Sequence, residues 1–241
     1  MTRLAPATAL LCLLSAPALA DITADDLWAA QVDLWARLGM TLKGDLSRDG
    51  SIVTVSGQGG ELALPMGLGT LLWWSNDLVM TEDGSGAVVI DLSAPQTLTL
   101  GLHIAGRPEF DLSAEFTATW TNALAHASGT PDMIELSVVA DKVDYTLDGF
   151  SLAPGYDAGD PEADLFVTVI EPVSLLEIER GDLTRVVLTQ RGTRSITDMA
   201  LRQDVMSTRG VIDQTELLAE ITLMLPETPL DPLDLGPALR A

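Results

Sequence analysis

The chain has 241 residues, 47% of them hydrophobic, and a formal net charge of −22. A surface that acidic repels nucleic-acid phosphates and anionic lipid headgroups, so neither DNA nor RNA is an expected partner. There are two histidines, and the one cysteine, Cys12, falls within the first twenty residues, which are expected to be removed, so a typical zinc site is not expected.

Taken in chain order, residues 1–20 read as a secretory signal peptide. Arg3 supplies the charge, Leu10–Leu14 the apolar run, and Ala18-Leu19-Ala20 the small residues of a cleavage site. The expected mature protein starts near Asp21 and is periplasmic. It keeps 221 residues and a charge of −23, because Arg3 leaves and no acid does. Cys12 lies inside the apolar run and follows Leu11 rather than a small residue, which argues against a lipoprotein. With Cys12 goes the only thiol, so stability must come from a buried core. No transmembrane segment is expected in the mature chain: the longest uncharged stretch, Leu62–Asn76, is cut by Pro65, Gly67 and Gly69.

Thr23 and Asp26 form a T-x-x-D capping pattern, and Leu27, Leu34, Trp35 and Leu38 make one stripe with Trp28 and Val32 beside it. This predicts an amphipathic helix ending at Gly39 and docking by its tryptophans. Beyond Gly39 the period drops to two. Phe110, Leu112, Ala114, Phe116, Ala118 and Trp120 alternate with polar residues, as do Leu98–Ile104, Ile134–Ala140 and Val143–Leu147. Shorter strands are predicted at Ser51–Ser56, Ala87–Leu92, Leu165–Ile170 and Leu183–Gln190. Turns are predicted at Asp83–Gly86, Gly106–Pro108, Arg180–Asp182 and Asp148-Gly149, and a small-residue loop holding His126 at Ala123–Gly129. Asp213–Leu225 fits a strand or a capped helix; the β context upstream favours strand.

The expected fold is therefore mainly β: long antiparallel strands in a curved sheet, sandwich or half-barrel, with one N-terminal amphipathic helix. One domain spans 21–225, divisible at an acidic Gly/Pro loop near 154–162, and a Pro-rich extended tail occupies 226–241.

Chemistry is thinly signalled. No G-x-S-x-G elbow occurs, and both His103 and His126 read as surface side chains. Gly57–Gly60 precedes a strand-like segment, so it is not a phosphate loop. Asp157, Asp160, Glu162 and Asp164 are the strongest calcium candidates, though their spacing misses the EF-hand rule; otherwise no cofactor and no catalytic residue is assigned. Trp73-Trp74 must send one ring to each face of a strand. Candidate ligand-binding residues are Trp73, Trp74, Phe110, Phe116 and Trp120.

The signal peptide, the Ala24–Leu38 helix with its two tryptophans, the alternating strands, and Tyr145-x-x-Asp148-Gly149 within Asp141–Leu152 together resemble the domain of unknown function 2125 family. That resemblance implies a secreted Gram-negative protein with a tryptophan-bearing helix and long strands. It carries no catalytic residues across, and the Pro-rich end after Leu225 departs from the family. The leading functional expectation is a non-enzymatic periplasmic protein binding an apolar or amphipathic, lipid-like ligand on the inner face of a curved sheet. The alternatives are an envelope structural or assembly factor acting through sheet edges, and a carboxylate-based hydrolase.

Overall fold

Thr23 caps the first helix. Thr23 Oγ1 accepts the Asp26 N–H at 3.1 Å, and the Asp26 carboxylate accepts the Thr23 N–H at 3.1 Å, closing a capping box. The helix it opens, α1, spans Ala24–Arg37, with Asp25 and Asp26 at its positive end and Arg37 at its negative end. Gly39, at φ 79°, turns the chain into the first strand. The computed structural model describes residues 22–152, 162–203 and 206–228. Residues 1–21, which include the expected signal peptide, and residues 153–161, 204–205 and 229–241 lie outside it.

The strands are β1 Met40–Asp49, β2 Ile52–Ala63, β3 Gly69–Ser75, β4 Leu78–Glu82, β5 Val88–Ile90, β6 Gln96–Ile104 and β7 Leu112–Thr121. They continue with β8 Leu124–Thr130, β9 Met133–Val139, β10 Lys142–Leu152, β11 Glu162–Ile170, β12 Val173–Glu179, β13 Leu183–Gln203 and β14 Met206–Pro226. All belong to one antiparallel sheet. Five consecutive pairs, β3/β4, β5/β6, β7/β8, β9/β10 and β11/β12, are separated by only two to five residues, and the two members of each pair lie along the same neighbouring passes. The chain therefore makes nine long passes in simple up-and-down order, each next to the one before. β1 and β14, each paired on one side among the described residues, are its edges.

The interruptions align across the sheet as a crease. Gly57, Asn122, Glu171 and Glu216 take positive φ there (62°, 51°, 48° and 60°). Backbone bonds and amide side chains replace the broken ladder. Asp141 N–H donates to Thr121 O at 3.0 Å and Glu171 N–H to Asp141 O at 2.8 Å. Asn122 Nδ2 donates to Asp141 at 2.6 Å, and Asn76 bridges to Pro95 O and Thr97 N–H at 3.1 and 3.0 Å. An odd extra residue in a strand reverses which side chains face inward. The sequence changes phase at the same points, from Phe116, Ala118, Trp120 to Ala125, Ala127, and from Ile134, Leu136, Val138 to Val143, Tyr145, Leu147. The apolar side chains thus stay on one side of the sheet while the sheet bends.

Helix α1 lies on that inner side along β1. Leu27, Trp28 and Ala30 pack with Val53 and Val55 of β2, Met80 of β4, Val88 of β5, Ala127 of β8, Ile134 of β9 and Ile178 of β12. Gly44 lies beneath Trp28: an added Cβ would sit 3.0 Å from its ring and 2.6 Å from Val55. At the helix end, Leu34 and Leu38 meet Val186 of β13 and Leu225 of β14, and the Arg37 guanidinium donates to Pro226 O at 3.0 Å. The helix preceding the first strand so touches the last one, and the sheet curls round it.

Several expectations are corrected in detail. Asp148-Gly149 is a register shift inside β10, not a turn. The loop predicted around His126 is strand β8, where Ala125 and Ala127 are small because the inner side there is filled by the α1 core. The strand predicted from Phe110 starts at Leu112, because Pro108 opens a short 3-10 turn through Phe110. Leu183–Gln190 is only the first part of a 21-residue strand, and Asp213–Leu225 is strand.

Candidate functional site

Beyond the crease the inner face continues as straight register rows. Met40, Leu62, Leu71, Leu102 and Leu112 form one; Leu42, Gly60, Trp73, Leu100, Ala114 and Phe150 the next. Leu98, Phe116 and Leu147 follow. Then come Gln96, Ala118, Tyr145, Val167, Thr197 and Ile212, and finally Trp120, Val143, Val169, Ser195 and Gln214. Leu165 with Met199, and Ala163 with Leu201, extend the surface toward β13. The opposite face of the same strands carries Glu61, Glu115, Asp144, Asp164, Asp198, Arg194, Arg202 and Asp213.

Of these inner side chains, Leu42 and Trp73 are the ones that join the cluster packed on α1, with Trp73 and Trp35 at 5.8 Å and tilted 42°. An added Cβ on Gly60 would stand 2.4 Å from Trp73 Nε1, so the bare backbone at Gly60 seats the indole. The rest of this half has no helix over it among the described residues. Leu98, Tyr145, Met199, Leu201 and Ile212 are 37, 36, 41, 52 and 47% exposed, high values for apolar side chains on the core side of a sheet. Trp120 and Tyr145 meet edge to face at 6.4 Å. Partial desolvation beside these neighbours pushes the Tyr145 phenol up.

The five predicted ligand residues separate. Trp73, Phe116 and Trp120 stand on the inner face. Trp74 stands on the outer face, 48% exposed, over Gly59 and Gly101. Phe110 sits in the 3-10 turn, and its side chain lies outside the described residues. Of the calcium candidates, Asp157 and Asp160 lie outside the described residues, as does the Glu162 side chain, and Asp164 is on the outer face 3.6 Å from Arg202. No group of three or more His, Cys, Asp or Glu comes together among the described residues. Leu98, Tyr145, Met199, Leu201 and Ile212 were not singled out as site residues from sequence. The available signal was their alternation, which gives a face but not whether that face is covered.

The described carboxylates with clearly displaced titration are all displaced downward. The Arg48 guanidinium and then the Ala24 N–H hold Glu82 low; the Ile104 N–H and then His103, 2.7 Å away, do the same for Asp111. For Asp144, burial pulls upward but Lys142 and the Thr168 hydroxyl outweigh it. A carboxylic general acid needs the opposite displacement. No helix among the described residues is long and apolar enough to cross a membrane. No family model, curated protein or solved structure matches the chain.

Proposed function

We propose that this is a periplasmic, non-enzymatic protein that holds an apolar or amphipathic, lipid-like ligand on the inner face of its curved sheet. One observation carries the reading: a single apolar face spans both sides of the crease, and beyond the crease α1 reaches only Leu42 and Trp73 among the described residues. Burying such surface is favourable by about 25 cal/mol per Å², and an acyl chain supplies matching surface without hydrogen-bonding demands. The charge, apolar run and small-residue site within residues 1–20, read as a signal peptide, support the compartment.

The test uses the exported chain. Mass spectrometry of an organic extract should recover a co-purifying lipid, and an apolar fluorescent dye should bind stoichiometrically. Leu98→Asp, at a partly exposed position, should abolish both while leaving the β-type circular dichroism unchanged. Folded wild-type protein that takes up neither lipid nor dye sinks the reading.

A second reading, an envelope assembly factor pairing through its sheet edge, rests on β14. This edge strand is 21 residues long, with Val211, Leu218 and Ile221 at 62, 66 and 49% exposed. Cross-linking from position 211 to one envelope protein in cells, lost in Ile212→Pro, would favour it.

A further inference from the structure

We infer that the ligand of the inner face is a lipid with an uncharged polar end, and that anionic amphiphiles of the same chain length are rejected. The inference rests on the ligand-binding reading above and adds its chemical class.

Three observations carry it. First, the register rows of the uncovered half hold no charged side chain on the inner side; their polar members, Gln96, Tyr145, Ser195, Thr197 and Gln214, are all neutral. A phosphate or carboxylate drawn onto that surface would lose water with no counter-charge, which costs several kcal/mol. Second, the cations already face carboxylates. Every described Lys and Arg except Arg191 has a carboxylate of this chain within 4 Å: Lys142 with Asp144 at 2.6 Å and Arg194 with Asp213 at 2.6 Å are typical. Arg191 stands on the outer face, in register with Val173 and Leu218. Third, the chain's charge of −22 opposes the approach of any anion. Neutral hydroxyls and amides remain as the available recognition chemistry, and they suit glycerol-type hydroxyls.

The test is displacement of a bound apolar dye from the exported chain by two probes differing only in a phosphate, monooleoylglycerol and monooleoylglycerol phosphate. Each is run at ~0.01 M and ~1 M salt, where the screening length falls from about 30 to about 3 Å. The neutral probe should win by about tenfold or more at low salt, with a narrower but persistent advantage at high salt. Placing a cation on the inner face with Thr197→Arg should shift the preference toward the phosphate probe, with circular dichroism reporting an intact sheet. Equal displacement by both probes, or an unmoved preference in folded Thr197→Arg, overturns the inference while leaving ligand binding standing. Dye that never binds removes the reading beneath it. Dye that binds only after deletion of residues 229–241 assigns the face to the chain's own tail and overturns the inference.

Discussion

The two sides of the crease are built from the same passes of chain and share one apolar face, yet they end in different states. On one side α1 fills the concavity. Charged residues cluster there around the helix: Arg48 grips Asp25 and Glu82, Glu82 accepts the Ala24 N–H at 3.0 Å, and Asp33 binds Arg37 at 2.9 Å. On the other side the inner face keeps its leucines and aromatics, carries no charge in its rows, and leaves several side chains more than a third exposed. Core-type chemistry without a core partner among the described residues is what separates the second side from the first. Here the contrast is internal, so each side serves as the control for the other.

The largest expected effect breaks the covered side. Trp28→Ala removes a nearly buried indole and should cost about 3–5 kcal/mol in urea denaturation. Phe116→Ala, across the crease, should cost about 1–2 kcal/mol because its ring is only half-buried. Equal losses would mean that the second side is closed as tightly as the first. Next, Gly44→Ala forces a methyl against Val55 and Trp28; overpacking there should cost about 1–3 kcal/mol. Gly181→Ala, at a turn with its nearest atom 3.6 Å away, should leave the melting temperature nearly unchanged. A smaller change should go the other way. Thr184 is 1% exposed and in register with Leu225, and its buried hydroxyl has no hydrogen-bond partner. Thr184→Val should therefore raise stability by about 1 kcal/mol.

The smallest effect concerns the helix clasp. Glu82 titrates below the ordinary glutamate range when folded, held there by Arg48 and then the Ala24 N–H. Its contribution is therefore full above the unfolded value of about 4.3 and is lost as pH falls through the lower folded value. The denaturation midpoint of the wild type should drop more steeply on acidification than that of Glu82→Gln. Parallel curves would show that the clasp does not couple the helix to pH.

Much of the fold was legible in residue order. The Thr23/Asp26 box is a local hydrogen-bond pattern, and it appears as read. The alternation at Leu98–Ile104, Phe110–Trp120 and Ile134–Ala140 is equally local, and each is strand except for Phe110, in the 3-10 turn, and Ala140, just past β9. The Asp148-Gly149 bulge read as a turn because the same dipeptide serves either role; cross-strand pairing to Glu115 and Ala114 decides which. The strand around His126 was missed because Ala, Ser and Gly are weak strand formers on their own, and only the packing against Ile90, Leu136 and the helix explains their choice. For the candidate site, Phe116 and Trp120 were readable as inner-face residues. Leu98, Tyr145 and Met199 became distinctive only when their exposure could be compared with that of Val55 or Ile134.

The chain's own order of residues determined the helix cap, the two-faced strands and the segregation of acid from oil, since each depends on neighbours one to four positions apart. Tertiary structure decided that short strands join end to end across a line of bulges, that the ninth pass returns to meet the helix, and that this helix is too short to cover the whole face it lies on. Those outcomes depend on pairing between segments tens of residues apart, and no periodicity within a segment encodes which partner it meets or what is left uncovered.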